Sequence, residues 1–188
     1  MSIILASGSP RRHELMKFIT DDFEVKVSDA EEKTDFSQSP DKIVMSLAEQ
    51  KCDAVLPLCV KDDTVISADT VVSIDGMILG KPKNADEAHL MLRQLSGRTH
   101  TVFTGVCISC PNVRVSFSER TEVVFYSLSD RDIENYIATG EPFDKAGAYG
   151  IQGKGALLVK GIRGDFYNVM GFPVAEVFRK MKELGVYE

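Results

Sequence analysis

Ser7-Gly8-Ser9-Pro10-Arg11-Arg12 places two hydroxyls, one glycine and two guanidinium groups within six residues. Ile3-Ile4-Leu5-Ala6 before it has the apolar run of a short buried strand. Ser9 suits a helix N-cap, and Pro10 suits the first helical position, where its missing N–H is no loss. A strand running into a helix there leaves free amides at the helix N-terminus, which attract an anion. Arg11 and Arg12 add permanent charge and bidentate donors. The composite predicts a phosphate site, the alternative being a plain helix cap with two surface arginines. It is not a Walker loop, because no Gly-Lys-Ser/Thr follows.

A second chemical signal is Asp69, which interrupts the apolar stretch Thr64-Val-Ile-Ser-Ala-Asp-Thr-Val-Val-Ser-Ile74. A carboxylate in a buried strand needs hydrogen bonds, a cation or a metal to offset its lost hydration. Functional carboxylates occur at such places, as do structural ones at strand ends and bulges. Lys51 lies four residues from Leu47 and four from Val55 on an apolar helix face. It either snorkels at the edge or reaches into a site. Lys81, in Gly80-Lys-Pro82, is a second candidate phosphate ligand. Gln152 both donates and accepts, which suits the edge of a nucleobase. The polar run Ser28–Gln38 holds Asp29, Glu31, Glu32 and Asp35, most of them expected to be solvated.

These groups need elements to hold them. The first helix is expected from about Ser9 to Ile19, followed by an alternating strand Phe23–Val27. Ser39-Pro40 opens a second helix with Ile43, Val44, Leu47, Ala48, Ala54 and Val55 on one face. Asp75-Gly76 is a type I′ hairpin signal between Ile74 and Met77-Ile-Leu79. Asn84 caps a helix running to Leu95. Two long strands follow, about Thr99–Ser109 and Arg114–Tyr126, then a helix from Ser129 to Thr139. Seven of the chain's 14 glycines lie between Gly147 and Gly171. The interleaved Tyr149, Ile151 and Gln152 suggest that this glycine-rich loop is ordered. Ala156–Val159 reads as a buried strand, Asp165–Gly171 as a loop, and Pro173–Leu184 as an amphipathic helix.

The bulk properties narrow the classes. A chain of 188 residues with 44% hydrophobic content supports one globular domain, or two small lobes sharing a core. A net charge of −6 argues against a broad nucleic-acid surface, so an acidic protein that handles phosphates needs local cations and a metal. No apolar run approaches a membrane span, and no signal peptide is expected, so a cytoplasmic protein is the default. Cys107-Ile-Ser-Cys110 has zinc-knuckle spacing but no matching second pair. Reduced thiols are the expected state of Cys52, Cys59, Cys107 and Cys110.

Taken in order, these motifs resemble the Maf family of nucleoside triphosphate pyrophosphatases. The resemblance rests on Ser7-Gly-Ser-Pro-Arg-Arg12, Glu31-Glu32, Lys51, Ser67-Ala-Asp-Thr70, Gly80-Lys-Pro82, Leu95-Ser-Gly97 and Asp144-Lys-Ala-Gly-Ala-Tyr-Gly-Ile-Gln-Gly153, and it covers essentially the whole chain, taken as a single Maf-like domain over residues 1–188. It implies an α/β fold with a central mixed β-sheet flanked by helices, and two lobes with a cleft, similar to the inosine triphosphatase fold. It implies hydrolysis of a nucleoside triphosphate to the monophosphate and pyrophosphate with Mg²⁺ or Mn²⁺. Asp69 matches the family's proton acceptor. Arg11, Thr70 and Gln152 match positions tied to substrate choice, and Ser7, Glu32, Lys51 and Lys81 match positions lining the site. Ala68-Asp69-Thr70 and Tyr149-Gly-Ile-Gln152 are similar to the subgroup that prefers dTTP and UTP, rather than the Ser-Asp-Gln subgroup that prefers 7-methyl-GTP. A homodimer is compatible with the family, although no sequence feature requires it.

Chemically, Asp69 near a metal would activate water for attack at the α-phosphorus. Glu32 and Asp69 are hard oxygen donors suited to Mg²⁺. Arg11, Arg12, Lys51 and Lys81 would bind and stabilise the phosphates, and Thr70 and Gln152 would read a pyrimidine edge. Two rival readings stand beside this one. One is a regulatory protein of cell division or septum formation that binds nucleotide or nucleic acid. The other is a house-cleaning enzyme whose best substrate is a modified nucleotide.

Overall fold

The computed structural model describes residues 2–187. Its strands are β1 (Ile3–Leu5), β2 (Glu24–Val25), β3 (Thr64–Ile74), β4 (Met77–Leu79), β5 (Thr99–Cys110), β6 (Val113–Phe125) and β7 (Val159–Arg163). Its α-helices are α1 (Pro10–Met16), α2 (Pro40–Val55), α3 (Ala85–Leu95), α4 (Asp130–Ile137), α5 (Phe166–Met170) and α6 (Val174–Glu183). The strands form one seven-stranded sheet in the order β2-β1-β3-β5-β6-β7, with β4 beside β3. β1 runs parallel to both β2 and β3. β4 and β7 pair antiparallel with β3 and β6. The sheet is therefore mixed, as expected.

The chain divides into two compact units. The first takes the described residues up to Asp69, Thr104–Glu119 and the stretch from Gly171 onward; the second takes Thr70–Phe103 and Arg120–Met170. The division falls inside β3, β5 and β6, so each unit owns part of three long strands.

In the first unit, α2 turns Ile43, Val44, Leu47, Ala48, Cys52 and Val55 inward. Ala48, Cys52 and Val55 join Ile4, Ala6, Val65 and Cys107 in one buried cluster. Each fully buried aliphatic side chain contributes roughly 1.5–3 kcal/mol through lost contact with water. The backbone of α2 lies directly on β5: a Cβ on Gly105 would stand 2.2 Å from the Val44 carbonyl oxygen. Among the described residues the four cysteines are free.

In the second unit, α3 and α4 pack Ala88, Leu92, Leu95, Ile133 and Tyr136 against Val72, Val102, Val123 and Phe125. The helix starts follow their sequence signals. Asn84 Oδ1 accepts from Glu87 N at 2.9 Å, and Ser129 with Asp132 forms a capping box. The Asp75-Gly76 turn has φ of 52° and 76°, the left-handed pair a type I′ hairpin requires. Arg98 holds it with two bonds to the Asp75 carboxylate, at 2.7 and 2.6 Å.

Some expectations are corrected. Residues 156–159 are not a buried strand. A 3₁₀ turn spans Gly153–Leu157, with Leu157 76% exposed, and the strand begins at Val159. The stretch 165–171 is not a loop throughout, because α5 occupies Phe166–Met170. α1 ends at Met16 rather than Ile19, and β2 is two residues long. Ser9 stands at the N-cap of α1, but its side chain makes no capping bond. On α2, Cys52 is buried and Ala54 only partly so.

A buried aromatic group in the second unit carries a pH prediction. His100, Phe125 and Tyr149 pack edge to face, with ring centroids 4.7–5.2 Å apart. His100 is 2% exposed. Its Nε2 lies 2.7 Å from the Tyr149 hydroxyl, and Nδ1 finds no hydrogen-bond partner among the described residues. Burial lowers the His100 pKa to about 4, from an ordinary 6.5. The unfolded chain therefore binds a proton between these values that the folded chain refuses. Stability is complete above about pH 6.5, falls as the pH drops toward 4, and then levels off, a loss of about 3 kcal/mol from this group. Urea denaturation at pH 7 and pH 4 should show the loss, and His100→Gln should remove most of the difference.

Candidate active site

The strand-to-helix turn of the first unit is built as a hydrogen-bonded nest. Ser7 ends the buried run after β1 and is 6% exposed. Its Oγ accepts from Ser9 N at 3.2 Å and from Arg12 Nη1 at 3.4 Å. Arg12 Nε donates to the Gly171 carbonyl at 2.7 Å, and His13 Nε2 donates to the Ser7 carbonyl at 2.6 Å. Burial, chiefly, lowers the Arg12 pKa; the charges of Asp69 and Glu32 oppose that shift, and Arg11 adds to it. Arg12 stays a cation throughout, since guanidinium groups do not deprotonate in proteins. Ser7, Arg11 and Arg12 are thus gathered at one turn. His13, which the sequence reading passed over, anchors it; its only sequence signal is a place in the first turns of α1.

The second half of the cluster comes from α2 and β3. Lys51 reaches across to an ion pair with Asp69 Oδ1 and lies 3.4 Å from Glu32 Oε1. The side chains are 24%, 15% and 39% exposed for Lys51, Asp69 and Glu32. Of the two alternatives for Lys51, it reaches inward. Two unforeseen contacts set this geometry. Ser67 Oγ, in β3 two residues before Asp69, donates to the Ala48 carbonyl of α2 at 2.6 Å. Gln50, next to Lys51, clamps the backbone of Lys33: Oε1 accepts from Lys33 N at 2.8 Å, and Nε2 donates to Lys33 O at 2.9 Å. That clamp holds the acidic loop beside α2 and brings Glu32 to Lys51. Gln50 has no sequence signal, and Ser67, although it opens the Ser67-Ala-Asp-Thr70 motif, carries no sign of its partner.

Thr70, Lys81 and Gln152 belong to the second unit. Thr70 is half-buried in β3, Lys81 is exposed after β4, and Gln152 is exposed at the start of the Gly153–Leu157 turn. Gln152 sits on ordered backbone, as expected from Tyr149 and Ile151, which are both buried. Before it, Gly150 N donates to the Tyr136 hydroxyl at 3.0 Å. After it, Glu141 accepts from Lys154 N at 3.1 Å and Gly155 N at 3.3 Å. Glu141→Ala should lower stability by about 1–2 kcal/mol in urea denaturation. It should also speed amide hydrogen exchange at Lys154 and Gly155.

Among the described residues no group of three or more His, Cys, Asp or Glu could hold a metal ion alone. Asp69 and Glu32 nevertheless fit a hard divalent cation. Mg²⁺ typically takes one or two carboxylates and completes its shell with water and substrate phosphates. Two carboxylates among three cations, beside helix amides and a buried serine, are suited to binding a polyanion and handling a proton near it.

The fold is a mixed α/β sheet, and its first unit gathers Asp69, Glu32, Lys51 and Arg12 in one charged cluster. The Maf-like protein family model matches residues 2–184, and the chain belongs to that family. It is 51% identical over 184 residues to a dTTP/UTP pyrophosphatase of Bacillus cereus, covering 98% of this chain and 96% of that one. It is 52% identical over 180 residues to a dTTP/UTP pyrophosphatase of Bacillus cytotoxicus, covering 96% and 94%. Its fold is similar to that of a HAM1 protein from Coxiella burnetii, with a TM-score of 0.53 at 15% identity over 97% of this chain and 99% of that one.

Proposed function

We propose that the protein hydrolyses dTTP and UTP to the nucleoside monophosphate and pyrophosphate. The observation that carries this reading is the ion pair of Asp69 with Lys51, beside Glu32 and within electrostatic reach of Arg12. Relatives at about half identity over nearly the whole chain are named for this activity. None of those names supports the regulatory reading.

In this mechanism Asp69 orients a water molecule and accepts its proton as the oxygen attacks the α-phosphorus. The bond between that phosphorus and the bridging oxygen breaks, and pyrophosphate departs with the electron pair. Ser7, Arg11, Arg12 and Lys51 bind phosphate oxygens, and the cations offset the charge gathering on the leaving group. Lys81 is assigned the same role. A divalent cation, Mg²⁺ or Mn²⁺, held by Asp69 and Glu32, would supply further charge neutralisation. Thr70 and Gln152 choose the base, through hydrogen bonds that a wrong base would leave unmade.

We further take the whole chain as one Maf-like domain, with a house-cleaning role that extends to modified pyrimidine nucleotides. Unpaired cysteines suit a reducing, cytoplasmic setting. Among the described residues no helix is long and apolar enough to cross a membrane. A homodimer is retained from the family resemblance.

The test is a panel of canonical and modified nucleoside triphosphates with Mg²⁺ and with EDTA, with products separated by chromatography. Monophosphate and pyrophosphate from dTTP and UTP, lost with EDTA, are expected. Diphosphate and orthophosphate would overturn the assignment of the α-phosphorus, and turnover unaffected by EDTA would overturn the metal.

A further inference from the structure

The cluster of the first unit already contains a cation at the place assigned to a metal. Lys51 Nζ is paired with Asp69 Oδ1 and lies 3.4 Å from Glu32 Oε1. It therefore spans both carboxylates. Arg12 is a second positive charge that both carboxylates act on, and Arg11 is a third that acts on Arg12. Two carboxylates set against Lys51 and Arg12 leave no formal net charge. A bare divalent cation would meet no net negative charge there, and it would have to dislodge an ammonium first. A nucleoside triphosphate brings several negative charges. It competes for Lys51 and supplies the oxygens a metal shell needs. Lys51 can make that exchange, because its charge sits on a flexible stem and is not fixed in a planar fork. All three side chains reach solvent, so the exchange needs no unfolding.

We infer that Lys51 is a resident occupant of the cation position. In the nucleotide-free protein it holds Asp69 and Glu32 together. When a triphosphate arrives, the ammonium transfers to phosphate oxygens, and the two carboxylates are released to the metal ion that accompanies the nucleotide. Metal and nucleotide then bind as a pair, each raising the affinity for the other. This inference rests on the activity proposed above and adds the order in which the site fills.

It predicts effects of opposite sign from one substitution. Lys51→Met should tighten Mn²⁺ binding to the nucleotide-free protein by about tenfold, since a competing charge is gone. It should weaken binding of the α,β-methylene analogue of dTTP in EDTA by about tenfold, since a phosphate partner is gone. Mn²⁺ binding is read by electron paramagnetic resonance and analogue binding by calorimetry, each on protein of native circular dichroism. Lys51→Gln replaces the methionine variant if that one does not fold. Asp69→Asn in the Lys51→Met background should abolish the gain in Mn²⁺ affinity. Unchanged or weaker Mn²⁺ binding in the lysine variant would overturn the inference, and so would tighter analogue binding. Turnover by the unaltered protein is measured separately. If no nucleotide yields pyrophosphate, the proposed activity fails, while the Mn²⁺ titration still decides the role of Lys51.

Discussion

Asp69→Asn should reduce turnover of dTTP by about a hundred- to ten-thousandfold, the range lost when a positioned general base is removed. The substitution keeps the size and shape of the side chain and removes its charge. The amide oxygen can still accept from Lys51, and Asp69 is partly open to solvent, so the fold should survive. What disappears is a group able to take a proton from water and one of two hard oxygen ligands. Glu32→Gln removes only the second of these capacities and should cost less activity than Asp69→Asn. Steady-state kinetics with product identification, on protein checked by thermal melting, would read both. Near-normal turnover by a folded Asp69→Asn variant would remove Asp69 from the chemistry.

The largest expected loss of stability comes from a single methyl group. Gly105→Ala would place a Cβ 2.2 Å from the carbonyl oxygen of Val44, 2.3 Å from its carbonyl carbon and 2.5 Å from Met45 N. These are backbone atoms in the first turns of α2, so no side-chain rotation relieves the overlap. The helix must lift from β5 or the strand must bend, against a cluster in which Ala48, Cys52 and Cys107 are fully buried. Overpacking usually costs 1–3 kcal/mol, and a clash with rigid backbone belongs at or above the upper end, so about 3 kcal/mol or more is expected. In a chain of this size that corresponds to a fall in melting temperature of roughly 6–12 °C. The effect should also reach the chemistry, because α2 carries Lys51 two turns beyond the point of contact. Urea denaturation reads the first effect and the KM for dTTP the second. A variant within about 0.5 kcal/mol of the parent would show that the helix does not rest on Gly105.

How much of this could be read from the residues follows from what kind of force decided each element. β3, the Asp75-Gly76 turn and the starts of α3 and α4 were legible because local chemistry fixes them: an apolar run, two left-handed positions, a capping oxygen. Residues 156–159 misled because Ala-Leu-Leu-Val looks buried. Leu157 is exposed, however, and the chain is held there by Gly155, whose Cβ would lie 2.0 Å from the Gly150 carbonyl oxygen. Gly150 is five residues away, but the Tyr136 hydroxyl, 2.8 Å from the same Cβ and 19 positions back in the chain, closes the fit, and no local pattern shows it. α5 is too short for periodicity to register. At the site, residue types pointed to Asp69, Arg11 and Arg12. Helical spacing put Lys51 on the right face but could not say where its ammonium goes. That depends on Ser67 and Gln50, whose partners lie 19 and 17 positions away in the chain.

The hydrogen bond from Arg12 to the Gly171 carbonyl has a consequence for biosynthesis. Arg12 leaves the ribosome 159 residues before its acceptor. A nascent chain that has reached Met170 has every residue of the second unit but lacks the stretch from Gly171 onward that the first unit requires. It also lacks Phe172, Val177 and Met181, each fully buried in the finished protein. Until that stretch is made, the turn over residues 7–12 lacks the Gly171 carbonyl that accepts from Arg12 Nε. The turn over residues 7–12 should therefore be completed only once Gly171 has been made, well after most of the sheet can form.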